Sequence, residues 1–204
     1  MPEQTAAAGP VTERGRRTRE RLLEAARAVF EERGFNDTRM SDVAERAGVS
    51  HGTVYVYFES KQALLGQVVQ ALLAEVGDYL RVGEAGDPAT RISEANLRYL
   101  RVYARHDRML QVVEQVATAD PVFAEVLARF RARHVARVAE GIRRLQAEDR
   151  VADDLDADIS AAALSAMVEG YARHSPGYTV DDVHPTLTLL WLRALGLDSR
   201  TPLD

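Results

Sequence analysis

The side chains best equipped for chemistry lie in one short run, His51-Gly52-Thr53-Val54-Tyr55-Val56-Tyr57, and in the arginines ahead of it, Arg14, Arg16, Arg17, Arg19 and Arg21. Hydroxyls, an imidazole and branched apolar side chains are gathered there within seven residues. Guanidinium groups suit phosphate oxygens. The arginine run meets only Glu20 over its eight residues. It serves either as a phosphate attractor or as a solvated helix start. Catalysis is poorly provided for. No His-Glu-x-x-His pattern, phosphate-binding lysine loop or Gly-x-Ser-x-Gly elbow is present. The five histidines (51, 106, 134, 174 and 184) lack metal-ligand spacing, and the absence of cysteine removes thiolate sites and disulfides. Asp154-x-Asp156-x-Asp158 opens like a calcium loop, but Ile159 stands where glycine is required and Ser165 where glutamate is. Those acids suit a helix start instead. Neither an enzyme nor a cofactor or metal is expected.

A chain of 204 residues with 46% hydrophobic and 28% charged residues is long enough for one large or two small globular domains. The net charge of −5 excludes a protein that coats nucleic acid with its whole surface. The charge is uneven, however. Residues 1–66 carry 10 basic and 10 acidic groups, whereas residues 67–204 carry 16 and 21. No apolar stretch is long enough for a membrane span, and Met1–Pro10 lacks the apolar core of a signal peptide, so a cytoplasmic protein is expected.

The elements that must position the polar run are helical, and the expected fold class is all-α. Leu22, Leu23, Ala26, Val29 and Phe30 recur at helical spacing up to Gly34, which stops the helix. A short helix fits Met40 to Ala47, then a Gly48-Val49-Ser50 turn, then a third helix from Ser50 as N-cap through Phe58. Ser60 caps a fourth, on which Leu64, Leu65, Val68, Val69, Leu72, Leu73 and Val76 form a stripe. Gly83 to Pro88 breaks the chain. Helical spacing resumes, with an end or kink expected at Arg105-His106-Asp107 before Met109 to Val116. Asp120-Pro121 starts a long helix, Asp153 to Asp158 introduces another, and a last one is expected from about Pro185 to Leu195.

Short helix, glycine turn, short helix is the spacing of a helix-turn-helix, which projects the second helix's N-terminal side chains into a major groove. Plain αα-corners share that spacing. The residues go further: Ala25-Ala26, Phe30, Gly34-Phe35, Thr38, Asp42-Val43-Ala44, Ala47-Gly48-Val49-Ser50, Gly52-Thr53-Val54-Tyr55, Tyr57-Phe58, Lys61 and Leu64-Leu65 resemble the N-terminal domain of TetR-type transcriptional regulators. The match covers about residues 16–76. The resemblance implies DNA contacts from Gly52, Thr53, Tyr55 and Tyr57 on the recognition helix. It also implies a phosphate contact from Lys61 and backbone support from Thr38. His51 stands where lysine or arginine is common, and Arg39 where threonine or serine caps the second helix, so Arg39 is expected on phosphate. Val56 points outward, toward a thymine methyl or solvent, and Arg16 and Arg17 are expected near the DNA backbone. Tyr55 and Phe58 also suit a core, Phe58 above all.

The remainder resembles the family only in architecture. The expected organisation is a flexible N-terminal arm over 1–15, the DNA-binding domain over 16–76, and a helical ligand-binding and dimerisation domain over 77–204. Asn96, Tyr99, Tyr103, Phe130 and His134 mix polar groups into apolar faces, as a small-molecule pocket requires, with Glu169 a further candidate. Satisfied core polar residues would look the same. The last helix is apolar nearly all round, which points to burial by more than its own domain. Leu164, Met167, Leu187, Leu190, Trp191 and Ala194 are the expected homodimer face. The partners expected are a double-stranded DNA operator, a second copy of the chain and an unidentified small-molecule effector, with no membrane. The function expected is a repressor released from a palindromic operator by that effector. Two alternatives are a ligand-binding or scaffolding dimer without DNA binding, hinted at by His51, and an enzyme in the C-terminal pocket, which would need an acid–base pair.

Overall fold

The computed structural model describes residues 12–81, 86–174 (the His174 side chain excepted) and 177–197, and contains eight helices and no strand among them. They are α1 (Glu13–Asp37), α2 (Met40–Ala47), α3 (His51–Tyr57), α4 (Lys61–Tyr79), α5 (Pro88–Ala119), α6 (Pro121–Ala147), α7 (Ala157–His174) and α8 (Val180–Ala194). The chain divides into two compact units. The first comprises Met1–Ala74 and Arg108–Phe123, the second Glu75–Asp107 and Ala124–Asp204.

In the first unit the apolar stripe of α1 (Leu22, Ala26, Val29, Phe30) is buried together with Val43 of α2, Val54 of α3, and Leu64, Leu65 and Val69 of α4. This continuous core fixes the short helices α2 and α3, which are too short to be stable alone. Thr12 caps α1, its Oγ1 accepting from Gly15 N at 3.2 Å. Residues 1–11 of the expected arm lie outside the described residues, and Glu13, Arg14 and Gly15 are already helical. Gly34 interrupts α1 with φ 74° and ψ 172°, a positive-φ conformation that a side chain would strain. The turn between α2 and α3 runs through Gly48 in the left-handed conformation (φ 64°, ψ 40°) to Ser50, whose Oγ accepts from Thr53 N at 3.3 Å.

In the second unit Tyr99, Leu100, Val102 and Tyr103 of α5 are buried, as are Leu127 and Ile142 of α6, Ala161 and Val168 of α7, and Leu187, Trp191 and Leu195 of α8 and its end. Two boundaries differ from the expectation. No break occurs at Arg105-His106-Asp107, and α5 runs unbroken from Pro88 to Ala119. His106 is only 3% exposed, with Nε2 3.4 Å from Glu75 Oε1, so the polar triplet lies partly on the buried face of a continuous helix. The last helix begins at Val180, before Pro185. Thr179 Oγ1 accepts from Asp182 N at 3.3 Å, and Thr179 N donates to Asp182 Oδ2 at 2.8 Å. The Thr179 hydroxyl and amide hold the Asp182 carboxyl below the usual carboxylate range. Pro185 therefore lies inside the helix rather than at its start.

Candidate DNA interface and effector cavity

The candidate interface is the outer side of α3. Val54 and Phe58 point into the core and anchor the helix, while His51, Gly52, Tyr55 and Val56 are exposed and Thr53 and Tyr57 are half-buried. Val56 is 80% exposed, an unusual position for a branched apolar side chain. The His51 and Tyr55 rings meet edge to face, 5.1 Å between centroids, one helical turn apart. A Cβ at Gly52 would meet nothing within 4 Å, so no packing contact in the protein itself demands glycine there. This face thus presents an imidazole, a phenol, two methyls and bare backbone to solvent.

The charged groups around α3 mostly serve the fold. The Arg21 guanidinium donates to the Ala47 carbonyl and so closes α2 against α1. Arg46 donates to both Glu32 oxygens at 2.9 and 2.5 Å. Asp42 accepts from Arg39 N at 2.8 Å and lies 3.1 Å from Arg33, and the Arg39 amide chiefly holds its carboxyl below the usual range. With its backbone so used, Arg39 keeps an exposed guanidinium that has no hydrogen-bond or ion-pair partner among the described residues. Arg16 pairs with Glu13 and Glu20 at 2.8 and 2.7 Å, and Arg17 with Glu13 at 3.1 Å. These are solvent-exposed pairs, worth little and easily exchanged for phosphate.

Lys61, for which the resemblance implied a phosphate contact, is engaged within the protein. Its Nζ donates to the carbonyls of Phe35 (2.7 Å), Asn36 (3.1 Å) and Thr38 (2.8 Å) and lies 4.5 Å from the Phe35 ring centroid. All three ammonium donors are spent on the end of α1, where the helix leaves carbonyls without partners. Thr38 is buried, and its Oγ1 donates to the Gly34 carbonyl at 2.6 Å. Both residues hold the entry to α2. The signal for Lys61 lay in residues 23 to 26 positions upstream, which no local pattern reveals.

The second unit contains a cavity of about 370 Å³. Leu80, Ile92, Val138, Ile142, Trp191 and Leu195 form apolar wall, and Arg91, Asn96, His134, Arg137, Arg144 and Glu148 bring polar groups to it. Of the expected pocket residues, Asn96 and His134 line this cavity, and Asn96 Nδ2 donates to Thr188 Oγ1 at 3.4 Å. Tyr99, Tyr103, Phe130 and Glu169 are not among its lining residues. Tyr99 is stacked on Tyr103 at 4.8 Å and faces the His134 ring at 5.3 Å, so it braces a cavity residue from behind. Burial first, then Tyr103 and Glu169, push the Tyr99 phenol far up, which keeps it neutral. Burial first, then Arg137, hold His134 below its ordinary value against the opposing Glu169. Glu169 lies 2.8 Å from Arg131 and 3.3 Å from Arg173. Phe130 instead approaches the Gly77 position, 3.8 Å from where a Cβ would stand. Arg91, half-buried with its Nε fully so, was missed because a charged residue on a long helix ordinarily faces solvent.

The expected dimer face is only partly outward. Leu187 and Trp191 are buried within the protomer, and Trp191 Nε1 donates to the Leu164 carbonyl at 3.2 Å. Their apolarity is consumed by their own unit. Leu190 (45% exposed) and Ala194 face out, and Leu164 and Met167 are half-buried.

Comparison with known proteins accords with this geometry. Residues 22–68 match the family model "Bacterial regulatory proteins, tetR family", and residues 76–202 match "Tetracyclin repressor-like, C-terminal domain". The probable acrEF/envCD operon repressor of Escherichia coli K12 is 27% identical over 183 residues, covering 84% of this chain and 83% of that protein. A crystal structure of a TetR-family regulator from Rhodococcus sp. superposes with a TM-score of 0.69 at 25% identity, covering 87% of this chain and 97% of the other. A regulator from Saccharomonospora viridis, solved in complex with choline, shares the fold at a TM-score of 0.72 and 23% identity, covering 87% and 96%.

Proposed function

The chain belongs to the tetR family of bacterial regulatory proteins and is a DNA-binding transcriptional regulator rather than an enzyme, and from that premise we propose that it acts as a homodimeric repressor released from a palindromic operator by a small molecule. The observation that carries the reading is α3: a helix whose inner residues are fully buried while His51, Gly52, Tyr55 and Val56 stand free on the outside. A rigidly seated short helix with an unpartnered polar and methyl face is what major-groove reading requires. Tyr55, Val56 and His51 meet base edges. Thr53 and Tyr57 flank them, and Arg39, Arg16 and Arg17 meet phosphate. Lys61 and Thr38 act at one remove, by fixing the start of α2.

Two-fold symmetry supplies the second half-site. A dimer through Leu190, Ala194, Leu164 and Met167 would set two copies of α3 about 34 Å apart, one helical turn of DNA. The Escherichia coli relative's role, that of a probable operon repressor, supports repression. The choline complex of the Saccharomonospora regulator supports a small-molecule input. Effector bound in the second unit would favour a spacing of α3 that no longer fits DNA, by no more than its difference in affinity for the two states.

The test is fluorescence anisotropy of the full chain on DNA from upstream of its own gene, against scrambled DNA at near-physiological salt. Specific binding, one dimer or more per site, is the expected result. Binding no tighter than to scrambled DNA, together with a random-sequence selection that enriches nothing, would overturn the reading in favour of a ligand-binding or scaffolding dimer.

A further inference from the structure

We propose that the cavity of the second unit takes a small organic anion, a carboxylate carried on a compact apolar body. This rests on the effector-regulated reading above and names the class of effector. The volume of about 370 Å³ lies at the small end of the ~300–1,000 Å³ typical of ligand sites. Its wall is apolar, with Trp191 and Ile142 buried and Ile92 beside them, which suits a hydrocarbon or aromatic body.

The polar lining decides the charge. Three arginines line the cavity, Arg91 half-buried and Arg137 and Arg144 toward its exposed rim, against one acidic residue, Glu148. Arg91 and Arg137 form no ion pair among the described residues, and Arg91 Nε is buried without a hydrogen-bond partner. A buried guanidinium donor left unmade is costly, and its fork geometry matches a carboxylate. His134 Nδ1 is likewise buried and unpartnered on the same wall. Kept neutral by burial and by Arg137, that ring offers a hydrogen bond without a competing charge. An ammonium ligand would face the unpaired guanidiniums, and a neutral one would leave Arg91 without a charged partner.

The chain has a single tryptophan, and it lines the cavity. Titration of the full-length protein with octanoate, read by Trp191 fluorescence, is therefore the experiment. Octan-1-ol and octyltrimethylammonium serve as neutral and cationic partners of equal chain length. Octanoate should bind saturably and at least tenfold more tightly than either. Arg91→Gln should weaken octanoate by about tenfold or more and octan-1-ol hardly at all, since a charge-assisted hydrogen bond is worth that much. Arg91→Lys should fall between, and thermal unfolding checks that each variant is folded. Tighter binding of the ammonium, equal binding of all three, or no response to carboxylates from butanoate to decanoate and to phenylacetate would overturn the proposal. Operator affinity measured on the same samples separates the two readings. Octanoate that binds without releasing DNA leaves the ligand class standing and removes effector control. Specific DNA binding with no carboxylate response does the reverse.

Discussion

In the first unit most cations are spent on the protein itself. Arg21 closes the end of α2, Arg46 and Arg33 tie α2 to α1 through Glu32 and Asp42, and Lys61 seals the end of α1. In the second unit Asn96 to Thr188, Ser93 to His184 and Leu164 to Trp191 are joined in the same way, yet Arg91 and His134 keep buried atoms with no partner. The first unit satisfies its interior and leaves unpartnered groups outside, on α3 and at Arg39. The second leaves them inside. A reader of a rigid, external polymer needs a preformed surface, whereas a receptor for a small molecule needs an interior that the ligand completes.

The harshest way to break this comparison is to corrupt the finished interior. Val54→Asp places an unpaired carboxylate in the core beneath α3, and should cost several kcal/mol, about 3–5. Specific DNA binding should vanish in anisotropy, while Trp191, in the other unit, keeps its native emission. Loss of that emission would show that the units unfold as one.

Lys61 sharpens the contrast between serving the fold and serving DNA. Lys61→Met should destabilise the protein by about 1.5–3 kcal/mol in urea titration, the worth of a charged hydrogen-bond set. The salt dependence of operator binding should keep its slope. A lysine on phosphate would instead lower that slope by about 0.9 when removed.

Gly52→Ala should act in opposite directions on the two properties. Helix propensity favours alanine by about 0.5–1 kcal/mol and no neighbour obstructs its methyl, so the thermal midpoint should hold or rise. Operator affinity should fall, because the methyl stands between backbone and DNA.

The smallest effect is a pH slope from His134. Its folded value is depressed by burial and Arg137, opposed by Glu169, so the unfolded chain binds more protons. Stability should decline as pH falls from about 6.5, the ordinary histidine value, toward the folded value. His134→Gln should flatten that part of the stability profile, measured by urea unfolding at pH 5 to 7.5.

Local chemistry made the first unit legible. Ser50 and Gly48 each act within a few residues, so the limits of α2 and the start of α3 follow from the sequence alone. The start of α8 was hidden because Pro185 suits a first turn, while Thr179 and Asp182 cap one further upstream. The continuity of α5 was hidden because Arg105-His106-Asp107 reads as polar, and the burial of His106 is a tertiary fact. On the candidate site, α3 could be read because its pattern is dense. The acceptors of Lys61 and the gathering of Arg91 with Arg137 arise only when distant segments meet.

The most direct test of α3 as the DNA reader is the operator affinity of His51→Glu, beside its thermal midpoint. His51 is exposed and opens α3, where the helix dipole favours an acid, so the fold should be unharmed or slightly steadier. Facing phosphate and base acceptors, the same acid should cost at least tenfold in operator affinity. An intact midpoint with lost affinity is the predicted result. An intact midpoint with unchanged affinity would contradict the account, since DNA would then be read by some other face.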